Sequence, residues 1–168
     1  MPPFPHMIRS ALFCVVLVAC DSSDTAPPSG DRFLPQLSQI FADPAVAEFF
    51  AEEAARAHVT SIRPVAGLAQ QGAGVVYGMT TWTSPANTAK IDIFTDVPGA
   101  RSPTNLAHEI SHAAVYRQGC FNHGERWLQY QLGIAQRFEA RFPGVKWSGL
   151  SPTRNVARKA ARYPNDHC

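Results

Sequence analysis

The segment His108-Glu109-Ile110-Ser111-His112 constrains this chain more than any other, because its two imidazoles and its carboxylate act together only when carried on a helix. Positions four apart lie about 40° from one another around a helix axis, so His108 and His112 reach one metal ion, while Glu109 stands roughly 100° round. That is the arrangement of a zinc hydrolase, in which zinc lowers the pKa of water toward neutrality and a neighbouring glutamate takes its proton. The flanks supply the helix. Ser102-Pro103 offers an N-cap and a proline at the first helical position, and Gly119 offers a C-terminal stop after Arg117. Leu106, Ile110, Ala113 and Arg117 follow helical spacing and turn a separate stripe away from the metal face.

A catalytic zinc needs a third protein ligand and an open fourth position. His123, in Asn122-His123-Gly124-Glu125-Arg126-Trp127 just beyond the Gly119 break, is the best candidate. Glu125 is its rival, one turn into the following helix, where its carboxylate would equally suit the helix N-terminal dipole.

This stretch resembles the SprT-like family of zinc metallopeptidases, whose pattern is H-E-x-x-H followed by alanine and, after a variable loop, H-G-x-x-[FW]. The matching residues are His108, Glu109, His112, Ala113, His123, Gly124 and Trp127. The resemblance covers about residues 73 to 142 and implies that His108, His112 and His123 bind Zn2+ and that Glu109 is the general base. Two features depart from the family. Many of its members are intracellular and carry a C-terminal zinc ribbon, some acting on proteins crosslinked to DNA, whereas this chain has no Cys-x-x-Cys pair.

The second departure is the N-terminus. Arg9 closes a short basic start, Ala11 to Ala19 form an apolar run too short to span a bilayer, and Leu17-Val18-Ala19-Cys20 resembles the bacterial lipobox. The expected organisation is therefore a signal peptide over 1–19, a lipidated Cys20 with a flexible tether over 20–30, and one metallopeptidase domain over 31–168. Translation could begin at Met1 or at Met7, which gives a more compact signal. The location implied is the bacterial cell envelope, and Asp21 after the cysteine is what enterobacterial lipoproteins associate with inner-membrane retention.

Of the four cysteines, Cys14 would leave with the signal and Cys20 would carry lipid, leaving Cys120 and Cys168. In an oxidising compartment two cysteines suggest one disulfide, worth roughly 4 kcal/mol at most for a loop of about 50 residues. The bond would pin the loop that delivers His123. The alternatives are Cys120 as a zinc ligand, or two free thiols.

Elsewhere the chain reads as alternating helix and strand signals. Asp31 to Phe41 places Phe33, Leu34, Leu37, Ile40 and Phe41 on one stripe. Asp43-Pro44 opens a second helix burying Val46, Phe49, Phe50, Ala54 and Ala57, with Glu52 and Arg56 as an exposed pair. Val75 to Thr83 and Ala89 to Thr95 read as a β-hairpin around Ser84-Pro85-Ala86-Asn87. Trp127, Tyr130, Ile134 and Phe138 mark a helix that supports the metal helix and ends at Phe142-Pro143-Gly144. The fold class expected is α+β, zincin-like, with a small antiparallel sheet.

In such a fold an edge strand binds peptide as an added strand, and either hairpin segment could offer that edge. Tyr116, Arg126, Tyr130 and Tyr163 are candidate donors for the oxyanion. From Arg141 onward the cations Arg141, Lys146, Arg154, Arg158, Lys159 and Arg162 face the single acid Asp166 and read as a solvated basic tail, with anionic headgroups as an alternative partner. A net charge of +2 gives no ground for a nucleic-acid partner. The function expected is a membrane-anchored, extracytoplasmic zinc metallopeptidase cutting proteins or peptides. Hydrolysis of peptidoglycan stem peptides is an alternative, as is a non-catalytic zinc-containing lipoprotein module.

Overall fold

A one-sided sheet carries the metal helix on its covered face, and the strand pattern shows why. The computed structural model describes residues 29–67, 69–71, 74–83, 88–116, 118–120 and 122–161. The expected signal peptide, Cys20, Tyr163 and Cys168 lie outside the described residues. No helix among the described residues is long and apolar enough to cross a membrane.

After a 3-10 turn at Asp31–Phe33, the elements are α1 (Leu34–Ile40), α2 (Pro44–Arg56), β1 (Val59–Val65), β2 (Ala69–Gln71), β3 (Gly74–Val76), β4 (Gly78–Thr83), β5 (Thr88–Phe94), α3 (Pro103–Tyr116), α4 (Glu125–Arg141) and α5 (Pro152–Ala160). The α+β expectation is met. The sheet, however, is mixed rather than antiparallel: its order is β1-β5-β4, with β1 parallel and β4 antiparallel to β5. The parallel pair arises because the chain between β1 and β5 is long enough to cross back, which takes a dozen or more residues. The strand expected over Val75 to Thr83 is divided at Tyr77, its first part pairing with β2 and its second with β5.

Along β5, Ala89, Ile91 and Ile93 are fully buried while Lys90 is exposed, so one face meets the helices and the other meets water. Each isoleucine so buried contributes about 1.5–3 kcal/mol. On the wet face, Arg63 of β1 and Asp92 of β5 form a bidentate pair at 2.8 Å that solvent screens.

Helix α3 lies against β4 and β5, α4 packs on α3, and α5 packs on α4. Phe49 and Phe50 of α2 meet Phe138 of α4 with ring centroids 5.2 and 5.9 Å apart, contacts worth about 0.5–1.5 kcal/mol each beyond their burial. Glu53 of α2 is buried beside them and accepts two hydrogen bonds of 2.7 Å from Arg137 of α4. Buried on the carboxylate side and open to water on the arginine side, this pair fixes the register of α4 against α2 and thereby the frame in which α3 sits.

Candidate metal centre

Helix α3 begins where the sequence places its cap: the Asn105 backbone N–H donates to Ser102 Oγ at 3.2 Å, with Pro103 in the first turn. It ends at Tyr116, and Gly119 adopts φ +80°, a left-handed conformation that favours glycine. Leu106, Ile110 and Ala113 are buried, which turns His108 and His112 toward the opposite side. The turn that follows brings up His123. Asn122 Oδ1 accepts from the Gly124 N–H at 3.2 Å, closing a short Asx turn around the histidine just before α4 starts.

The three imidazoles meet. His112 Nε2 lies 3.2 Å from His108 Nε2 and 3.1 Å from His123 Nε2, and the remaining pair is 3.2 Å apart. Two nitrogens on a tetrahedral zinc at about 2.1 Å stand roughly 3.4 Å apart, so the observed triangle fits such an ion with a few tenths of an ångström of adjustment. Three ring nitrogens this close aim at one shared point, and a cation there gives each of them a partner. Burial lowers the pKa of His108 well below the ordinary imidazole value and that of His112 to about 4, with nearby imidazoles adding to both shifts. Both rings are therefore neutral at pH 7, the form a metal requires.

Trp127 forms the wall behind the triad. It is fully buried, its ring centroid lies 4.7, 5.5 and 4.6 Å from those of His108, His112 and His123, and its Nε1–H donates to the His108 carbonyl at 3.3 Å. Glu125, the rival ligand, is exposed on α4 and lines a different hollow together with Arg126 and Tyr130. Cys120 is buried beside Val115 and Trp127, and its sulfur is in a disulfide. Among the described residues the metal-holding group is His108, His112 and His123.

Glu109 is 5% exposed and points to the sheet side of the triad, where Thr80 of β4 donates to its Oε2 at 2.8 Å. Burial raises the Glu109 pKa to about 7, while the Thr80 hydroxyl and the charge of Lys159 oppose the rise. Gly78 is what lets β4 come this close: a Cβ there would stand 2.9 Å from Glu109 Cγ. Thr80, Trp82, Glu109, Tyr116 and the three histidines line a cleft of about 580 Å3. Trp82 and Tyr116 stack in it at 4.2 Å with their planes 7° apart. Tyr116 is thus the one candidate oxyanion donor, among the described residues, that faces the triad.

Thr80 escaped the sequence reading because nothing local marks it; its partner lies 29 positions away, and only the α3–β4 packing joins them. In an enzyme built on this centre, Thr80→Val should retain zinc and lower turnover about tenfold, since it leaves the buried carboxylate without its fixed donor. Thr80→Ser should restore most of the loss. Equal turnover in all three proteins would contradict the role.

The lowered histidine pKa values set a second expectation. In Glu109→Gln, which removes the proton of the acid, zinc affinity should fall less than about fivefold between pH 7.5 and 6, whereas three free imidazoles would cost roughly fiftyfold. In that variant, which lacks the opposing proton uptake of folded Glu109, the same depression makes the metal-free fold lose stability as pH drops from about 6.5 toward 4, because the unfolded chain takes up protons that folded His112 refuses. A competition titration with a chelating dye at both pH values reads the first effect, and denaturant unfolding across that window reads the second.

No protein-family model, curated protein or solved structure matches the chain. The site therefore carries the functional argument through its own chemistry.

Proposed function

We propose that this chain is a zinc-dependent peptidase of SprT-like type, built on a zincin-like fold and held in the bacterial cell envelope by lipid on Cys20. The observation that carries the reading is the convergence of His108, His112 and His123 on one point, with Glu109 anchored beside them against an edge strand. Zinc at that point supplies a Lewis acid that lowers the pKa of water and polarises a carbonyl. The residues of the chain do the rest.

Strand β4 is the edge of its sheet, because β5 pairs with β1 and β4 on its two sides. A peptide added along β4 gains main-chain hydrogen bonds and lies across the triad, which favours β4 over the central β5 as the docking strand. Glu109, held by Thr80, accepts the proton of the attacking water and passes it to the leaving amine. Tyr116, stacked on Trp82, offers its hydroxyl to the oxyanion. The Cys120 disulfide, for which Cys168 is the proposed partner, restrains the loop carrying His123. Three ligands converge among the described residues, and a fourth position left to water or substrate is what favours an enzyme over a closed structural zinc site.

The test is a peptide library incubated with the zinc-loaded protein and with the chelated protein. Defined new termini that vanish on chelation support the reading. A zinc-loaded protein that cleaves no member of the library moves the assignment to a non-catalytic zinc module.

A further inference from the structure

Three of the four large apolar side chains exposed among the described residues, Val75, Tyr77 and Met79, fall within five consecutive positions where β3 runs into β4. Apolar groups gathered on a surface in this way mark a contact with something else. Val75 and Tyr77, 53% and 46% exposed, join Val76 and Pro98 in lining a hollow of about 550 Å3. Gly78, His108 and Glu109 line both this hollow and the metal cleft, so the two meet at the triad. We infer that the hollow is a side-chain subsite for a large apolar residue, so that the enzyme selects peptides with such a residue beside the bond it cuts. The inference rests on the peptidase reading above and names its substrate class.

Backbone bonds hold the apolar side of the hollow. The Phe94 N–H donates to the Tyr77 carbonyl at 3.1 Å, which ties Tyr77 to the end of β5. The loop after β5 then turns twice, the Val97 N–H donating to the Phe94 carbonyl and the Ala100 N–H to the Val97 carbonyl, each at 3.0 Å. Asn105 of α3 donates from Nδ2 to the Ala100 carbonyl at 3.0 Å, fastening this loop to the helix that carries the triad. Pro98 sits in the loop, and a Cβ at Gly99 would stand 3.9 Å from Tyr77 Cε1, so the tyrosine ring lies along it. The hollow therefore has its shape before a ligand arrives, which lowers the cost of binding.

A peptide paired with β4 runs between the Trp82 end of the metal cleft and the Tyr77 end of the hollow, passing Gly78 on the way. With the scissile carbonyl at the triad, one flank of the substrate lies toward Trp82 and the other enters the hollow. Strand residues are spaced by about 3.3 Å, so the residue next to the scissile bond is the one that reaches Tyr77 and Val75. A leucine or an aromatic side chain placed there takes apolar area of both partners out of water. Alanine is too short to do so, and glutamine brings an amide that must give up water.

Two series of fluorescein-labelled tetrapeptides test this, each anchored on zinc by a hydroxamate that takes the open position and fixes the register. In one series the hydroxamate replaces the carboxy terminus; in the other it caps the amino terminus, so each series explores one flank. The residue nearest the hydroxamate is Phe, Leu, Gln or Ala, and binding to full-length, zinc-loaded protein is read by anisotropy. In one series Phe and Leu should bind at least about tenfold tighter than Gln and Ala. Combining Val75→Ser with Tyr77→Ser should narrow that gap to within about threefold while zinc content and affinity for the Ala ligand persist, since both side chains stand half in water. The subsite is overturned if neither series shows an apolar preference that the double substitution removes, failure to bind included. If the preference stands but zinc-loaded protein cleaves no peptide carrying the preferred residue, the peptidase reading fails and the subsite remains; cleavage indifferent to that residue is the reverse.

Discussion

Glu109→Gln is expected to retain near-stoichiometric zinc and to lose at least about 100-fold in turnover, the low end for removing a general base. Glutamine keeps the volume of the side chain and can still accept from Thr80, so packing against β4 survives. What disappears is the group that takes a proton. Glu109 is well suited to that work because burial moves its pKa to about 7, close to the pH at which a base is both ionised and able to hold a proton. A bound dication favours the carboxylate and moves that value down, so the acid limb of wild-type activity should lie below pH 7. Zinc content by mass spectrometry and single-turnover kinetics report the two halves of the prediction. Wild-type turnover in Glu109→Gln would refute the mechanism.

The largest structural effect is expected at Trp127. It is fully buried and touches all three imidazoles, so Trp127→Ala removes the wall of the metal centre and a core side chain together. Unfolding of the chelated protein should become easier by about 3–5 kcal/mol, the range for emptying a buried aromatic site. Zinc affinity should fall at least about tenfold, because the rings lose the surface that orients them. Trp127→Phe keeps most of the ring but not the donor to the His108 carbonyl, and should lie between the two. Unchanged stability and zinc affinity in Trp127→Ala would show that the triad is held by other contacts.

The metal helix was legible in the sequence because each of its determinants is local. The Ser102 cap, Pro103, Gly119 and the Leu106-Ile110-Ala113 stripe all act within a few turns of one another, and all appear in the structure. The buried faces of α1, α2 and α4 were legible for the same reason. Strand β1 was not, because Thr60, Ser61, Arg63 and Pro64 leave little alternation, and its proline is tolerated only because the strand lies at a sheet edge. Nothing local marks Glu53 as the buried acid of α2, because its partner Arg137 lies 84 positions away. Lys159 read as one charge in a basic tail, since no local pattern says which way α5 turns as it packs on α4. Spacing, residue type and the SprT-like resemblance singled out the three histidines that converge, whereas the residues that hold Glu109 and shape the cleft depend on long-range packing.

X-ray absorption at the zinc edge of the reconstituted full-length protein reads the proposed open three-histidine zinc site itself. One zinc per chain is expected, with three imidazole nitrogens and one further light ligand at about 2.0–2.1 Å, and no sulfur shell. Loss of one imidazole in His123→Ala should be visible in the same spectra. A zinc coordinated by sulfur near about 2.3 Å, or a spectrum unaltered by His123→Ala, would contradict it.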